Sequence, residues 1–419
     1  MIETKNQNKH RILSMWIIAC GLLYIFAYQF KLPFKADTFL YGMVVGLLAM
    51  TLFVGKIILS KQVVLFILVA VSSFVGLAYT TMPSEGLREA ILFAFFAVMF
   101  WLSLTNSDFV KSFAKWIYIV SVVIVLSSIL HFLAPLWFNA LMSQVMREDA
   151  YEQLMWSFTV DTTFAGLAAY TSNATFAAAI VFGNSFLNMT NKKETPIIKS
   201  KLLNFVLLAL SMFSIILCSK RGIFVATIVA LIVLMFYLYR GRNFFLKFLG
   251  VAVLSSVVLI ILYNTNEFVS AFLNRFVGDD IMTGRDTIYE TLMADFGESN
   301  FLIGRGTAAT YELAEEGAHN IYIQILYDHG LIFSIPYYIL LLYNYYLAFK
   351  NKCPLSIFVQ TMFLVYGLSG NPLYSNMFMM IYIYHVLYAT KMPELVKTTN
   401  EHQRKELTGN TVKLKEQRV

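Results

Sequence analysis

Apolar runs of about 20 residues recur along nearly the whole chain, and short polar or charged segments separate them. A helix needs a run of about that length to cross the hydrocarbon core of a bilayer. The predicted spans are residues 12–30, 39–55, 63–80, 90–104, 116–136, 163–187, 202–218, 223–239, 248–263, 331–347, 355–368 and 373–389. The pattern predicts an all-α, polytopic membrane protein with about twelve transmembrane helices and a large structured external loop.

Composition supports this class, because 58% of the residues are hydrophobic and only 14% are charged, far from the balance of a soluble domain. The first apolar run lacks a small-residue cleavage site and further spans follow it, so we expect an uncleaved first helix. The last two spans are short and only Ser369-Gly370-Asn371-Pro372 separates them. A broken or re-entrant pair is an alternative there.

Basic residues predict the orientation, since Lys and Arg accumulate in short cytoplasmic loops. With the amino terminus inside, 23 of the 32 Lys and Arg residues lie on the cytoplasmic side. Residues 1–11 then form a cytoplasmic tail, 12–390 the helical membrane domain, and 391–419 a charged cytoplasmic tail. The formal charge of +7 therefore reflects topology, and we expect no nucleic-acid partner.

Nine basic residues remain on the predicted outer side, and the preference of Lys and Arg for cytoplasmic loops does not explain them. They are Lys31, Lys35, Arg88, Arg147, Lys220, Arg221, Arg275, Arg285 and Arg305. Two predicted external loops are long. Residues 139–161 mix charged and apolar positions, which is typical of an interfacial amphipathic helix. Residues 264–330 are too many for a bare loop, so we expect the chemistry there.

A pair of cations lies where the seventh predicted span meets the eighth, in Ser219-Lys220-Arg221-Gly222. Ionisable residues at membrane depth usually serve a function or face a watery cavity. If Ile223 begins a helix, Arg221 lies at its amino-terminal end, where free N–H groups and the helix dipole also favour an anion. The alternative is that both cations extend to the outer headgroups, and it applies more to Lys220.

Glycines flank the arginines of the long external segment. The motifs are Thr283-Gly284-Arg285-Asp286, Gly304-Arg305-Gly306, Gly317-Ala318-His319-Asn320-Ile321-Tyr322 and Asp328-His329-Gly330-Leu331. Glycine permits tight turns and close approach of the backbone to a ligand. A solvated loop explains each motif alone but explains the set less well.

This arrangement resembles the family of O-antigen ligases and O-antigen or capsule polymerases. Its members have about twelve spans, an arginine at the outer end of a mid-chain helix, a Gly-Arg in a large external loop and a His-Asn before a further span. Arg221, Arg285 and His319 occupy those places here. Ligases continue the histidine motif with nine residues, Gly, two residues and Gly, Thr or Tyr. Phe333 stands at that last position, which favours polymerase over ligase.

The resemblance implies a glycosyltransferase of a bacterial inner membrane, with its site facing the periplasm or exterior. The implied donor is an undecaprenyl-pyrophosphate-linked oligosaccharide, and membrane lipids, a chain-length regulator and a flippase are further candidate partners. The expected catalytic residues are Arg221 and Arg285, which hold the donor pyrophosphate, and His319, the base. The expected substrate-binding residues are Lys220, Arg305, Asn320 and Tyr322; Arg305 rests on its Gly-Arg-Gly setting and not on the resemblance.

Several alternatives remain open at this point. His319 could instead orient the loop, and the base or ligand would then be sought among Asp279, Asp280 and Glu316. No Asp-x-Asp triplet is present, so we expect neither a metal nor another cofactor. A polysaccharide flippase is the main competing class, but it should show related halves and charges at the membrane midplane, and neither is apparent.

Overall fold

A computed structural model describes residues 2–54, 58–105, 108–190, 197–239, 242–274, 276, 284–298, 301–315, 317–391 and 393. Within these ranges the chain is helical and has no β-strand; an isolated bridge joins Phe30 and Met146. Parts of the predicted cytoplasmic loops and nearly all of the carboxy-terminal tail lie outside the described residues.

The helices follow one another with short connections. They are α1 Ile2–Phe26, α2 Ala36–Val54, α3 Lys61–Leu77, α4 Pro83–Thr105, α5 Asp108–Leu133, α6 Pro135–Val145, α7 Glu148–Thr159, α8 Thr171–Thr190, α9 Lys201–Leu217, α10 Arg221–Leu238, α11 Arg242–Thr265, α12 Glu267–Asn274, α13 Arg285–Glu298, α14 Thr310–Leu313, α15 Ile321–Lys350, α16 Pro354–Tyr366 and α17, residues 376–391.

Each of the twelve predicted spans overlaps one of these helices. Among the described residues, four helices are long and apolar enough to cross a membrane: Pro83–Thr105, Phe109–Leu133, Arg221–Leu238 and Ile321–Lys350. Six shorter apolar helices accompany them. The chain is therefore an all-helical membrane protein, and the count of twelve spans stays a prediction.

The sixth predicted span begins too early in the sequence. Its helix, α8, starts at Thr171, and a 3₁₀ helix, Gly166–Ala168, precedes it. This connection packs into α5, where Leu167 N donates to Ser127 Oγ at 2.9 Å. Gly166 has a φ of +59°, and a Cβ atom there would collide with Ser127. The apolar character of residues 163–170 thus reflects burial against α5 and not an α-helical span.

The predicted amphipathic helix over residues 139–161 is two helices, α6 and α7. The chain is extended between them because it pairs with the segment after α1. Lys31 N donates to Val145 O and Arg147 N donates to Gln29 O, both at 2.9 Å. These bonds satisfy backbone groups that a continuous helix would have paired internally.

The long helix α15 is broken at Gly330, which has φ 61° and ψ −174°. A continuous helix would pair the carbonyls of Tyr327 and Asp328 with the N–H groups of residues 331 and 332. Here those carbonyls accept from Arg305 N at 3.0 Å and Gly306 N at 2.9 Å. The N–H groups of residues 331 and 332 donate to Phe301 O and Leu302 O, both at 2.9 Å. Residues 301–306 thus clasp the break and supply partners for these four backbone groups.

Glycine is required on both sides of this clasp. A Cβ atom at Gly330 would collide with the backbone N of Gly304, and one at Gly304 would collide with the backbone N of Gly330. The conformation of Gly330 is also one that residues with a side chain rarely adopt. The two glycines noted in the sequence therefore serve this backbone crossing.

We predict that Gly330→Ala strongly destabilises the protein. The backbone strain costs about 1–3 kcal/mol before the collision with Gly304 is added. The midpoint of thermal unfolding of the purified protein in detergent should be clearly lower than in wild type, and the yield of purified protein should fall. Gly297→Ala in α13 is the control, because nothing lies within 4 Å of its added Cβ. Equal midpoints of thermal unfolding for Gly330→Ala and Gly297→Ala would contradict the requirement for glycine at this backbone crossing.

Candidate active site

Arg221 is the first residue of α10, as the sequence predicts. Lys220 is the N-cap residue and makes no capping hydrogen bond through its side chain. Lys220 is exposed and Arg221 is half-buried. α10 packs along α16 with its start at the end of α16, because Gly222 lies against Ser369 and the ring of Tyr366. The helix dipole adds partial positive charge at this end.

Arg285 begins α13 and is half-buried. Its charge acts on two tyrosines, Tyr289 one turn further along α13 and Tyr366 at the end of α16. Tyr366 is the residue whose ring packs on Gly222, directly after Arg221. Tyr366 thus lies between the charge of Arg285 and the start of the helix that Arg221 begins.

A small hydrophobic cluster fixes α13 in place. Ile288, Leu292 and Phe296 recur at helical spacing on one face of α13, and they pack with Ile323 and Tyr327 of α15. Such spacing puts the three side chains on one stripe. Because this stripe faces α15, Arg285 and Tyr289 are held near the start of that helix.

Tyr289 connects α13 to the predicted base. Its hydroxyl donates to the backbone carbonyl of His319 at 3.4 Å. Burial raises the pKa of Tyr289, and Arg285 and Asn320 offset part of that rise. His319 is half-buried with a φ of +51°, a left-handed conformation that the turn before α15 imposes.

Asn320 and Tyr322 build the start of α15. The Asn320 side chain accepts from Tyr322 N at 3.0 Å and from Ile323 N at 3.2 Å, as an N-cap does. The Tyr322 hydroxyl donates to Leu364 O at 2.8 Å. Ile321 N donates to Gly367 O at 2.9 Å, which ties the turn to the end of α16. These contacts favour positioning roles for Asn320 and Tyr322 over the substrate contacts that the sequence suggested.

Arg305 is engaged away from the other arginines. Its guanidinium pairs with both carboxylate oxygens of Asp295, with Nε at 2.8 Å from Oδ2, and the Tyr327 hydroxyl donates to the same carboxylate at 2.6 Å. Asp295 is ten residues after Arg285 on α13, about 15 Å along the helix. The ion pair favours a structural role for Arg305 over substrate binding.

The Asp295–Arg305 ion pair leads to a prediction for variants of both residues. If the pair only holds the clasp to α13, Asp295→Asn and Arg305→Ala should lower activity and stability equally, and the double variant should be little worse than either. If Arg305 binds the donor, Arg305→Ala alone should weaken donor binding. A double-mutant cycle on donor affinity and unfolding temperature separates the two outcomes.

The same pair predicts a pH dependence. Burial raises the pKa of Asp295, but hydrogen bonds from Tyr327 and Arg305 outweigh it and hold the pKa below its ordinary 3.8. A carboxyl with a lowered folded-state pKa stabilises the fold above its ordinary pKa and loses that contribution as the pH falls through the lowered value. Limited proteolysis of the 284–315 region should therefore accelerate below pH 3.8 in wild type, and Asp295→Asn should abolish this step.

Sequence reasoning missed Tyr289 and Tyr366. A tyrosine four residues after Arg285 was a readable signal, since residues at that spacing are neighbours on a helix. No sequence signal placed Tyr366 beside Gly222, because tertiary packing alone joins them. Asp279, Asp280 and Glu316, the alternative bases, lie outside the described residues. Among the residues that are described, no three His, Cys, Asp or Glu side chains group as a metal site.

Residues 205–338 match the family model of the O-antigen ligases. That segment is similar to the O-antigen ligase family. It covers about a third of the 419 residues and contains all seven residues expected at the site. The resemblance inferred from the motifs is thereby confirmed over this part of the chain. No curated protein matches the chain.

Proposed function

We propose that the chain is a polymerase that joins lipid-pyrophosphate-linked oligosaccharide repeat units into surface polysaccharide. The main support is that Arg285 acts on Tyr289, which contacts the His319 turn, and on Tyr366, which packs at the start of the Arg221 helix, within a segment similar to the O-antigen ligase family. Two fixed cations suit a pyrophosphate, and an imidazole at the same place suits an acceptor hydroxyl. Ligation of finished glycan to lipid A-core or another acceptor is the alternative.

The proposed reaction is a single displacement at the anomeric carbon. His319 takes the proton of the acceptor hydroxyl as its oxygen forms a bond to that carbon. The bond from the carbon to the pyrophosphate oxygen breaks, and the electron pair leaves with polyprenyl pyrophosphate. Arg221 and Arg285 stabilise the negative charge that builds there, which is the role a metal ion would otherwise take. Displacement without a covalent intermediate inverts the anomeric centre.

The proposed location is the inner membrane, with both termini in the cytoplasm and the arginines and His319 facing the periplasm or exterior. The unequal distribution of Lys and Arg supports this orientation. Donor glycans that are flipped before they are joined would then reach the site from the outer leaflet.

Deletion of the gene distinguishes polymerase from ligase. Loss of a polymerase should leave single repeat units attached to the surface anchor, because ligation can still proceed. Loss of a ligase should leave long polymer on its lipid carrier and bare anchors. Gel separation of surface glycan and lipid-linked glycan from the deletion strain measures both pools. Polymer that accumulates on the carrier would overturn the polymerase proposal in favour of ligation.

A further inference from the structure

A cavity of about 1160 Å³ lies beside the site and is not explained by the proposed chemistry. Its walls come from the segment after α1, the start of α4, the start of α7, the end of α14 and the start of α17. None of the seven expected site residues lines it. It exceeds the roughly 300–1,000 Å³ of common small-molecule pockets, so it has room for more than one sugar.

Four cations and five acidic residues line this polar cavity. Its cations are Lys31, Lys35, Arg88 and Arg147, four of the nine outer basic residues that topology does not explain. Its acidic residues are Asp37, Glu85, Glu89, Asp149 and Glu315. A site for pyrophosphate needs an excess of positive charge, which this cavity lacks. Carboxylates, cations and tyrosine hydroxyls together can instead pair with the donors and acceptors of a polyhydroxylated ligand.

Two polar atoms in the cavity wall lack partners among the described residues. Glu89 is 6% exposed, and its Oε1 atom is buried without a hydrogen bond. The Tyr374 hydroxyl is likewise buried without one. Buried polar groups are nearly always paired, and an orphaned carboxyl oxygen is costly. Both atoms belong to residues that line the same cavity, where a hydroxylated ligand can supply the missing bonds.

The cavity adjoins the segment that carries His319. Tyr311 lines the cavity, and its ring would lie 3.4 Å from a Cβ atom at Gly317. Gln324 Oε1 would lie 2.9 Å from the same Cβ atom, and it accepts from Ala318 N at 3.3 Å. Tyr289, which lies within the electrostatic influence of Arg285, donates a hydrogen bond to the carbonyl of His319 in this segment. The turn is therefore linked to the cavity through Tyr311 and to Arg285 through Tyr289.

We propose that the polar cavity is the acceptor-glycan subsite, where Glu89 and Tyr374 exchange hydrogen bonds with sugar hydroxyls. This rests on the proposed glycosyl transfer, because it divides the two substrates between two places. The arginines hold the pyrophosphate of the donor, the cavity holds the sugars of the acceptor, and the His319 turn lies between them.

The test is a comparison of kinetic constants for the two substrates. Glu89→Gln preserves shape, and Tyr374→Phe removes one hydroxyl. Each should raise the acceptor KM about tenfold and leave the donor KM and kcat nearly unchanged. Glu267→Gln, an exposed carboxyl that does not line the cavity, should change none of these constants. An unchanged acceptor KM in both cavity variants, or an equal rise in donor KM, overturns the assignment.

A binding measurement separates this proposal from the proposed reaction. The probe is the oligosaccharide of one repeat unit, released by mild acid from the strain's own lipid carrier, with saturation-transfer NMR on the detergent-solubilised protein. If wild type transfers no sugar yet binds the oligosaccharide, and both variants weaken binding, the cavity assignment stands and the reaction is wrong. A second probe, glycerophosphoethanolamine, represents the headgroup of a membrane lipid. If the oligosaccharide does not bind, or if only this headgroup binds, the cavity is not a glycan site. Gel filtration confirms that each variant is folded.

Discussion

Replacing His319 is expected to abolish glycan transfer while leaving donor binding nearly intact. General base catalysis contributes about 10²–10⁴-fold to rate, so the remaining activity should be at or below the detection limit. Arg221 and Arg285 hold the pyrophosphate in this account, so the donor affinity should barely change. Single-turnover transfer and equilibrium binding of the lipid-linked donor measure the two quantities separately.

The choice of replacement decides how clearly this result can be interpreted. His319 has a φ of +51°, a conformation that asparagine tolerates much better than alanine. His319→Asn therefore keeps the turn but cannot act as the base, and it is the better test; His319→Ala adds backbone strain. If His319→Asn loses donor binding but turns over normally at saturating donor, the histidine is a binding or structural residue. The base must then be sought among Asp279, Asp280 and Glu316.

Arg221→Lys is expected to lose most activity although it keeps the charge. The planar guanidinium meets phosphate oxygens with two parallel N–H groups, and lysine cannot. A missing contact of this kind costs about 2–4 kcal/mol in the transition state, or roughly 30- to 1,000-fold in rate. Measurement of kcat with saturating donor, after matching the amount of inserted protein, detects the loss.

Lys220→Ala is the matched control for Arg221, since the two cations are adjacent. Lys220 is exposed and precedes the helix, so its loss should have a mild effect. Arg285→Lys should resemble Arg221→Lys, because the proposed reaction gives both arginines the same role at the pyrophosphate. Long polymer made by an Arg221→Ala protein that is inserted at normal levels would place the anion site elsewhere.

The sequence predicted the helical class and the place of Arg221 at the start of a helix. Every span that it predicted overlaps a helix of the structure. These features depend on local signals, namely the length of apolar runs and the positions of glycines, which can be recognised without the tertiary structure. It also predicted that Gly330 marks a boundary before the next span. The kink in α15 at that residue agrees with this boundary.

The features that the sequence did not predict depend on long-range contacts. Arg305 has the same Gly-Arg pattern as Arg285, yet its partner is Asp295, which no spacing rule identifies. Gly304 before it serves the crossing with Gly330, and Gly306 after it packs against the backbone of Thr80 and Gly76. Glu89 was placed just outside its predicted span, so its burial in a cavity wall could not be foreseen.

The most direct test of the account is extension of a lipid-pyrophosphate repeat unit by the purified protein in the presence of a metal chelator. The account predicts longer lipid-linked chains from wild type, with no extension by His319→Asn and very slow extension by Arg221→Lys. Chains that form only after a divalent metal is restored, or extension by His319→Asn at the wild-type rate, would contradict catalysis by two arginines and one histidine.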